Sequence, residues 1–209
     1  MSGAARIATC FLLGALLGTV LDGIHLYGDV ESYPETLFGR WAWFVPLEFG
    51  AVGALAGAAI PWVERLVGPP SPPHWSPAAR IAELFVLVAA YVSTVVLADA
   101  PVLVSVLLVL LLSARLVLGP VQGDWAYAAI AAVAGVTVEA LLSVAGVFDY
   151  ADPDLAGIPM WLPLLWANGG IFIRRLLLPV VVDYPSRSST SPPREPTYAV
   201  PSGPIDTGA

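Results

Sequence analysis

The sequence predicts an all-α integral membrane protein whose six transmembrane helices form one bundle. Two observations predict this class. Of the 209 residues, 57% are hydrophobic and only 12% are charged, whereas a soluble domain carries about 25% charged residues. The apolar residues also fall into six stretches close to the roughly 20 residues that a helix needs to cross a bilayer. Helices are expected because isolated strands would leave their backbone polar groups unsatisfied in lipid.

Turn-rich segments separate the six predicted spans. The first span is expected to stay uncleaved, because no small-x-small cleavage site precedes Asp22. The chain becomes rich in Pro and Ser after the sixth span, so residues 1–182 form the predicted transmembrane domain and residues 183–209 a disordered cytoplasmic tail. The predicted spans are about Arg6–Leu26, Trp41–Val67, Pro77–Leu97, Val102–Leu118, Trp125–Val147 and Ile158–Val182.

The basic residues predict how the bundle sits in the membrane. All nine are Arg, and an N-terminus inside the cell places eight of them on the inner side and Arg40 alone outside. Positive charges favour the cytoplasmic side of a membrane, so both termini are expected in the cytoplasm, at the inner membrane of a bacterium. The eight inner arginines are Arg6, Arg65, Arg80, Arg115, Arg174, Arg175, Arg187 and Arg194.

Several classes of chemistry have no counterpart in the sequence. The two histidines, His25 and His74, fall on opposite sides of the predicted membrane, and Cys10 is the only cysteine. Phosphate-binding, nucleophile-elbow and zinc motifs are missing, as is a basic patch with interleaved aromatics that would bind nucleic acid. We therefore expect a protein that is not an enzyme, with no metal, cofactor or nucleic-acid partner.

Glu139 is the ionisable residue that lies deepest in a predicted span. A carboxyl at this depth is costly unless it faces a cavity or a polar partner. A cavity-lining role, in which Thr137 or Ala140 would also face the cavity, and a structural hydrogen bond are both open. The alternative function is a small secondary transporter that uses Glu139 as its proton or ion site.

Small residues recur at helix-packing spacing in the first two spans. Gly14 and Gly18 form one such pair, and Gly53 and Gly57 form another. Glycines four residues apart allow two helix backbones to approach closely. The pairs predict packing within the chain or, as the alternative, an oligomer contact.

Four motifs in sequence resemble the Insig (insulin-induced gene) family of six-span membrane proteins. Two come early, Trp43-Phe-Val-Pro46 and Pro61-x-x-Glu64-Arg65. Two come late, Tyr150-Ala-Asp-Pro153-Asp154-Leu155 and Trp161-Leu-Pro163, the latter followed by Ala167-Asn-Gly169-Gly170. The order and spacing agree over most of residues 5 to 180, and the short loops and Arg-only basic usage indicate a bacterial member. The resemblance gives structural roles to Pro46, Pro61, Glu64, Arg65, Pro153, Asp154, Trp161, Pro163, Gly169 and Gly170.

The resemblance implies a central lipid-accessible cavity and a non-enzymatic regulatory or scaffolding role. The implied ligand is sterol-like or of the diacylglycerol type, and the candidate cavity residues are Glu139, Thr137, Ala140 and Leu103. Leu103 stands near the position of a glutamine that the family associates with sterol recognition. Animal members need an aspartate for Scap binding, and this sequence has Pro120 near that position. Membrane lipid is the expected partner, and a membrane-protein partner and a homo-oligomer, taken as a trimer, stay open.

Overall fold

A computed structural model describes residues 1–37, 39–68, 77–119, 121–154 and 156–182. Every helix in these ranges is long and apolar enough to cross a membrane, which confirms the predicted six-span bundle. The predicted tail, residues 183–209, lies outside the described residues. The helices are α1 (Gly3–Tyr27), α2 (Val45–Val67), α3 (Pro77–Val96), α4 (Pro101–Leu118), α5 (Asp124–Val144) and α6 (Leu162–Val181), and two short strands are β1 (Glu31–Ser32) and β2 (Asp149–Tyr150).

Prolines set the start of three helices. Pro46, Pro101 and Pro163 lie in the first turns of α2, α4 and α6, respectively. Backbone N–H groups in a first turn make no hydrogen bond within the helix, so proline loses nothing there, and its fixed φ suits the helix. Two predicted spans therefore begin too early. Residues 41–44 and 158–161 precede the proline-led first turns and form turns or short bridges instead of helix.

Helix α6 is the centre of the bundle. It contacts each of the other five helices, and 61% of its most apolar window is buried, against 17–28% for the others. The outer faces of the surrounding helices carry exposed large apolar side chains, among them Leu12, Leu55, Phe85 and Val133. In a bilayer these side chains face lipid, so their exposure is the expected state of a membrane helix.

Helices α1 and α2 pack backbone to backbone through the predicted glycine pairs. A Cβ on Gly53 would run into the carbonyl oxygen of Cys10 and approach the Cα of Gly14, and one on Gly14 would run into the carbonyl oxygen of Phe49. The Cβ of a residue at Gly57 would meet the Cys10 side chain. These glycines are thus used for packing within the chain.

The two strands join connections that are far apart in sequence. Strand β1 follows α1 and strand β2 follows α5, and they pair antiparallel with Glu31 opposite Tyr150 and Ser32 opposite Asp149. The backbone N–H of Ala151 also donates to the carbonyl of Val30 at 2.9 Å. We call this end of the bundle the sheet end, and the opposite end, where Arg115, Arg174 and Arg175 lie, the arginine end.

Candidate functional site

A forked cavity runs through the bundle and has two apolar arms. The wide arm, about 310 Å³, lies between α2 and α5 and has α6 as its floor. The narrow arm, about 90 Å³, lies between α1, α2, α3 and α6. The two arms share seven lining residues and adjoin from the sheet end to about the middle of α6: Asp22, Glu31, Phe49, Val52, Glu139, Trp166 and Ile173. The cavity therefore combines two apolar branches with one polar junction.

The wide arm opens sideways between α2 and α5. Three of its lining side chains, Leu55, Ile130 and Val138, are 70%, 50% and 48% exposed. The lining along α2 extends from Glu48 to Val63, a length of about 22 Å at 1.5 Å per residue. The arm is therefore open to the surrounding bilayer between α2 and α5.

Glu139 lies at the junction and both of its oxygens accept hydrogen bonds. The Trp166 indole N–H donates to Oε1 at 2.6 Å, and the Tyr150 hydroxyl donates to Oε2. The Trp166 ring packs directly over Gly135, where a Cβ would collide with it. Glu139 thus lines the cavity and also holds α5 to α6 and β2. It combines the cavity-lining position and the structural hydrogen bond that the sequence left as alternatives.

Asp22 reaches the same junction from α1 with one oxygen left over. The Tyr33 hydroxyl donates to Oδ1 at 3.2 Å. Oδ2 has no hydrogen-bond partner among the described residues, although the side chain lines both arms and Asp22 is only 4% exposed. A buried carboxyl oxygen without a partner is costly, so Asp22 is a candidate contact point for a ligand.

His25, one turn along α1 from Asp22, faces Glu31 with its second ring nitrogen. The Thr94 hydroxyl donates to the Tyr91 carbonyl at 2.7 Å, so its oxygen accepts the hydrogen of His25 Nε2 at 2.8 Å. His25 Nδ1 then lies 3.8 Å from Glu31 Oε2. Burial raises the pKa of the Glu31 carboxyl to about 7, because a charged carboxylate is poorly solvated there.

The arginine end is closed by a buried ion-pair network. Arg174, fully buried, donates to both oxygens of Glu64 at 2.8 and 3.0 Å and to Asp124 Oδ1 at 2.7 Å. Arg175 pairs with Asp124 and Glu83, and Arg115 also pairs with Glu83. Three arginines and three carboxylates therefore balance, and the network ties α2, α3, α4, α5 and α6 together below the cavity.

The predicted cavity residues other than Glu139 lie away from the described lining. Thr137 is exposed on α5 and its hydroxyl donates to the carbonyl of Val133 at 2.7 Å. Ala140 packs against the buried cluster near the sheet end. Leu103 is 47% exposed on α4. None of the three is among the residues that line either arm.

The family-motif residues occupy helix ends, loops and close contacts. Gly169 lines the narrow arm, where an added Cβ would meet nothing within 4 Å, whereas Gly170 packs against the Tyr127 carbonyl and Ala131. Asp154 Oδ2 accepts from the backbone N–H of Met160 at 2.7 Å. The others lie as follows: Pro46 and Pro163 in first turns, Pro61 inside α2, Glu64 in the ion network, Arg65 and Pro153 exposed, and Trp161 buried just before α6.

Sequence reasoning missed most of the polar junction. Asp22 and His25 lie near the end of the first predicted span, and the structure buries both on α1, where they line the cavity. Their three-residue spacing, which puts both on one helix face, was the signal available. Glu31 and Tyr150 had no such signal, because only the pairing of β1 with β2 brings them together.

Comparisons with known proteins agree with the motif resemblance. A family model described as a protein of unknown function, DUF2878, matches residues 80–180. The insulin-induced gene 1 protein of Danio rerio is 25% identical over 169 residues, covering 78% of this chain and 67% of that protein. The insulin-induced gene 2 protein of Xenopus tropicalis is 28% identical over 167 residues, covering 77% and 76%.

Solved structures extend the agreement to the fold. A mycobacterial Insig homolog from Mycobacterium vanbaalenii superposes with a TM-score of 0.68 and 26% identity, covering 87% of this chain and 96% of that one. A cross-linked trimer of the same protein gives a TM-score of 0.63 and 27% identity over 83% and 94%. The predicted resemblance to the Insig family, with a bacterial homologue as the neighbour, is confirmed.

Proposed function

We propose that this chain, an Insig-like homologue of the bacterial type, is a non-enzymatic regulatory or scaffolding protein that binds a two-chain membrane lipid. The forked cavity is the observation that carries the proposal. Two apolar arms diverge from one polar junction, and a lipid with two acyl chains on one small head has the same shape. A sterol-like ligand has a single rigid body and would fill one arm only, so we favour a lipid of the diacylglycerol type.

The lateral opening of the wide arm supports the bilayer as the source of the ligand. Leu55, Ile130 and Val138 line the arm while remaining exposed, so an acyl chain can pass between α2 and α5 without crossing water. Acyl chains gain little from the hydrophobic effect here, because the surrounding lipid is equally apolar. Close packing and the polar junction would therefore decide which lipid is retained.

The contacts of Glu139 favour binding over transport. A coupling carboxyl in a transporter must exchange protons or ions during the cycle. Both Glu139 oxygens instead accept hydrogen bonds from Trp166 and Tyr150, which join α5 to α6 and β2. We therefore do not favour the secondary transporter, and robust uphill transport of a solute by proteoliposomes, lost in Glu139→Gln, would overturn this preference.

Assembly and orientation complete the proposal. The mycobacterial relative was crystallised as a cross-linked trimer, and we propose that this chain also forms a homo-oligomer. The exposed apolar faces of the outer helices leave room for such a contact or for a membrane-protein partner.

We place both termini in the cytoplasm and the sheet end outside, on the arginine distribution alone.

The experiment is to identify the lipid that co-purifies with the protein. Native mass spectrometry of protein purified in a mild detergent should show one bound lipid with two acyl chains. Ala134→Trp places an indole in the wide arm and should displace most of that lipid. Val133→Trp, next to it on α5 but 70% exposed and outside the described lining, is the matched control and should retain the lipid.

Two results would contradict the proposal. A wild-type protein without stoichiometric lipid, after purification that preserves the fold, would mean that the cavity is not a lipid site. Equal retention by Ala134→Trp and Val133→Trp would mean that the lipid binds elsewhere on the protein.

A further inference from the structure

We infer that the sheet end of the cavity is a pH-sensitive closure, and that one proton held by the facing side chains of His25 and Glu31 keeps β1 paired with β2. The inference concerns regulation and does not depend on which ligand fills the cavity. Three observations support it: both strands form part of the cavity wall, Glu31 is buried against His25, and the tautomer of His25 leaves two acceptors facing each other.

The two strands form the part of the cavity wall that lies at the sheet end. Glu31 of β1 lines both arms, and Tyr150 of β2, its partner in the antiparallel pair, lines the narrow arm. Each strand has only two residues, so few backbone hydrogen bonds join them, among them the bond from the Ala151 N–H to the Val30 carbonyl. The side chains beneath the sheet therefore contribute much of its stability.

Glu31 points inward from this wall and is only 7% exposed. Its Oε2 lies 3.8 Å from His25 Nδ1. The Thr94 hydroxyl donates to the Tyr91 carbonyl, so its oxygen accepts the Nε2 hydrogen of His25. In neutral His25 the facing Nδ1 is therefore a lone pair. A carboxylate beside that lone pair is repelled, so the closed wall requires one more proton on the pair.

That proton stabilises the contact on either of the two groups. On Glu31 it makes a neutral carboxyl that can donate towards Nδ1, and on His25 it makes an imidazolium that pairs with the carboxylate. Both forms hold the same number of protons, so the pair titrates as one unit. Loss of the proton leaves a buried carboxylate facing a lone pair, and such a charge is stabilised by opening to water.

The other titratable groups around Glu31 offer no positive charge in place of the proton. They are carboxyls and tyrosine hydroxyls that line the cavity from each neighbouring element. No arginine of the described ranges lines either arm, and Arg40, at the same end, pairs with Asp29. The groups are Asp22 on α1, Tyr33 just after β1, Glu48 on α2, Tyr91 on α3, Glu139 on α5 and Tyr150 on β2.

The burial of Glu31 gives the direction of the pH dependence. Burial raises the pKa of its carboxyl from the ordinary 4.5 to about 7, because a charge is poorly solvated there. A proton bound more tightly in the closed state stabilises that state. The stabilisation is complete below about pH 4.5 and is lost as the pH rises through about 7. In the proposed orientation this end is outside, so the closure responds to external pH.

The experiment measures hydrogen exchange of the Ala151 amide in the full-length protein in detergent, from about pH 5.5 to about pH 8. Dividing the rate of an unstructured peptide by the measured rate at each pH removes the intrinsic pH dependence. The resulting protection factor reports how often the sheet opens. We expect it to fall at least about tenfold over this range. Amides of buried α6 residues are the internal reference, and their protection should not follow the same curve.

Glu31→Gln tests the named carboxyl, because the amide keeps the shape and carries hydrogens for His25 Nδ1 at every pH. The protection of Ala151 should then change less than about twofold across the range. Glu35→Gln is the matched control, because Glu35 is exposed and follows β1 on the same connection. It should keep the dependence of the wild type.

Thr94→Val tests the tautomer. Without the hydroxyl, His25 is free to carry its hydrogen on Nδ1 and donate it to the Glu31 carboxylate. The charged form of Glu31 is then stabilised in the closed state, so the fall in protection of Ala151 should shrink to about threefold or less. Valine has nearly the shape of threonine, and Thr94 is fully buried, so the packing of α3 is kept.

The following results would overturn the inference. One is a protection factor for Ala151 that does not change with pH in the wild type. Another is an equal fall in Glu31→Gln and Glu35→Gln while α6 stays protected in both. If Glu31→Gln does not fold, an undiminished fall in Thr94→Val overturns it instead. Lipid occupancy does not enter these measurements, so their failure leaves the proposed function standing.

Discussion

Glu64 and Arg174 are 110 residues apart in sequence and form the best-satisfied buried ion pair at the arginine end. The sequence places Arg115 and Arg174 on the inner side of the membrane, and the family resemblance gives Glu64 a structural role, with no partner assigned to any of them. The structure pairs them across helices instead. No pattern within one helix reveals such a partner, because the pairing depends on which helix faces meet at α6. The position of each charge along its span was predictable, and its partner was not.

Arg174→Gln is expected to destabilise the protein far more than Arg65→Gln. Arg174 is fully buried, and removing it leaves the buried Glu64 carboxyl without its arginine and Asp124 with Arg175 alone, at a cost of roughly 3–5 kcal/mol. Arg65 lies on the same side of the bundle but is exposed, so its loss should cost within about 0.5 kcal/mol. Thermal unfolding in detergent measures the difference, and equal midpoints for the two variants would contradict the buried network.

At the scale of elements, helices were predictable and strands were not. Apolar stretches of bilayer length identify the helices, and Pro46 and Pro163 explain where two of them begin. Strands β1 and β2 have two residues each, too few to show an alternating pattern. The pairing of Glu31 with Tyr150 arises only once α1 and α5 have been placed, so the polar junction it creates could not be read from either loop.

The glycines of α1 and α2 give a prediction at the same scale. Gly53→Ala adds a methyl group that would collide with the Cys10 carbonyl oxygen and crowd Gly14, and such overpacking costs about 1–3 kcal/mol. Gly169→Ala is the matched control, because its Cβ would meet nothing within 4 Å in the narrow arm. The control should be neutral or stabilising by up to about 1 kcal/mol, since Ala favours helix over Gly.

Unfolding midpoints of the two alanine variants, measured side by side in one detergent, test the packing of α1 against α2. A Gly53→Ala protein as stable as Gly169→Ala would mean that the helices are further apart than the structure has them. Dissociation of an oligomer by Gly53→Ala without loss of monomer stability would instead favour the other use of these glycines, a contact between chains.

At the scale of the whole molecule, the thickness of the bilayer is the constraint that can be predicted most directly from the sequence. The bilayer fixes the length and polarity of every span, so six helices follow from hydropathy alone. The cavity follows from a different property, the separation of α2 from α5 where both pack on α6. That separation depends on side-chain sizes at the interfaces of α2 and of α5 with α6. The position of Glu139 in its span predicted how deep the polar site lies. The contribution of Asp22 and the lining of the two arms could not be predicted, because they depend on how the helices pack together.

The orientation of the bundle in the membrane is the last prediction, and it rests on the arginines. The predicted topology puts eight of the nine on one side of the six spans, and that side faces the cytoplasm in the usual distribution of positive charge. A cysteine at Ser32, exposed in β1 at the sheet end, should react with a membrane-impermeant thiol reagent in intact cells. A cysteine at Gln122, exposed at the arginine end, should react only after permeabilisation. The native Cys10 is buried and should stay unlabelled, which makes the wild type the control. Labelling of Gln122→Cys but not Ser32→Cys in intact cells would reverse the orientation and place the lipid junction at the cytoplasmic side.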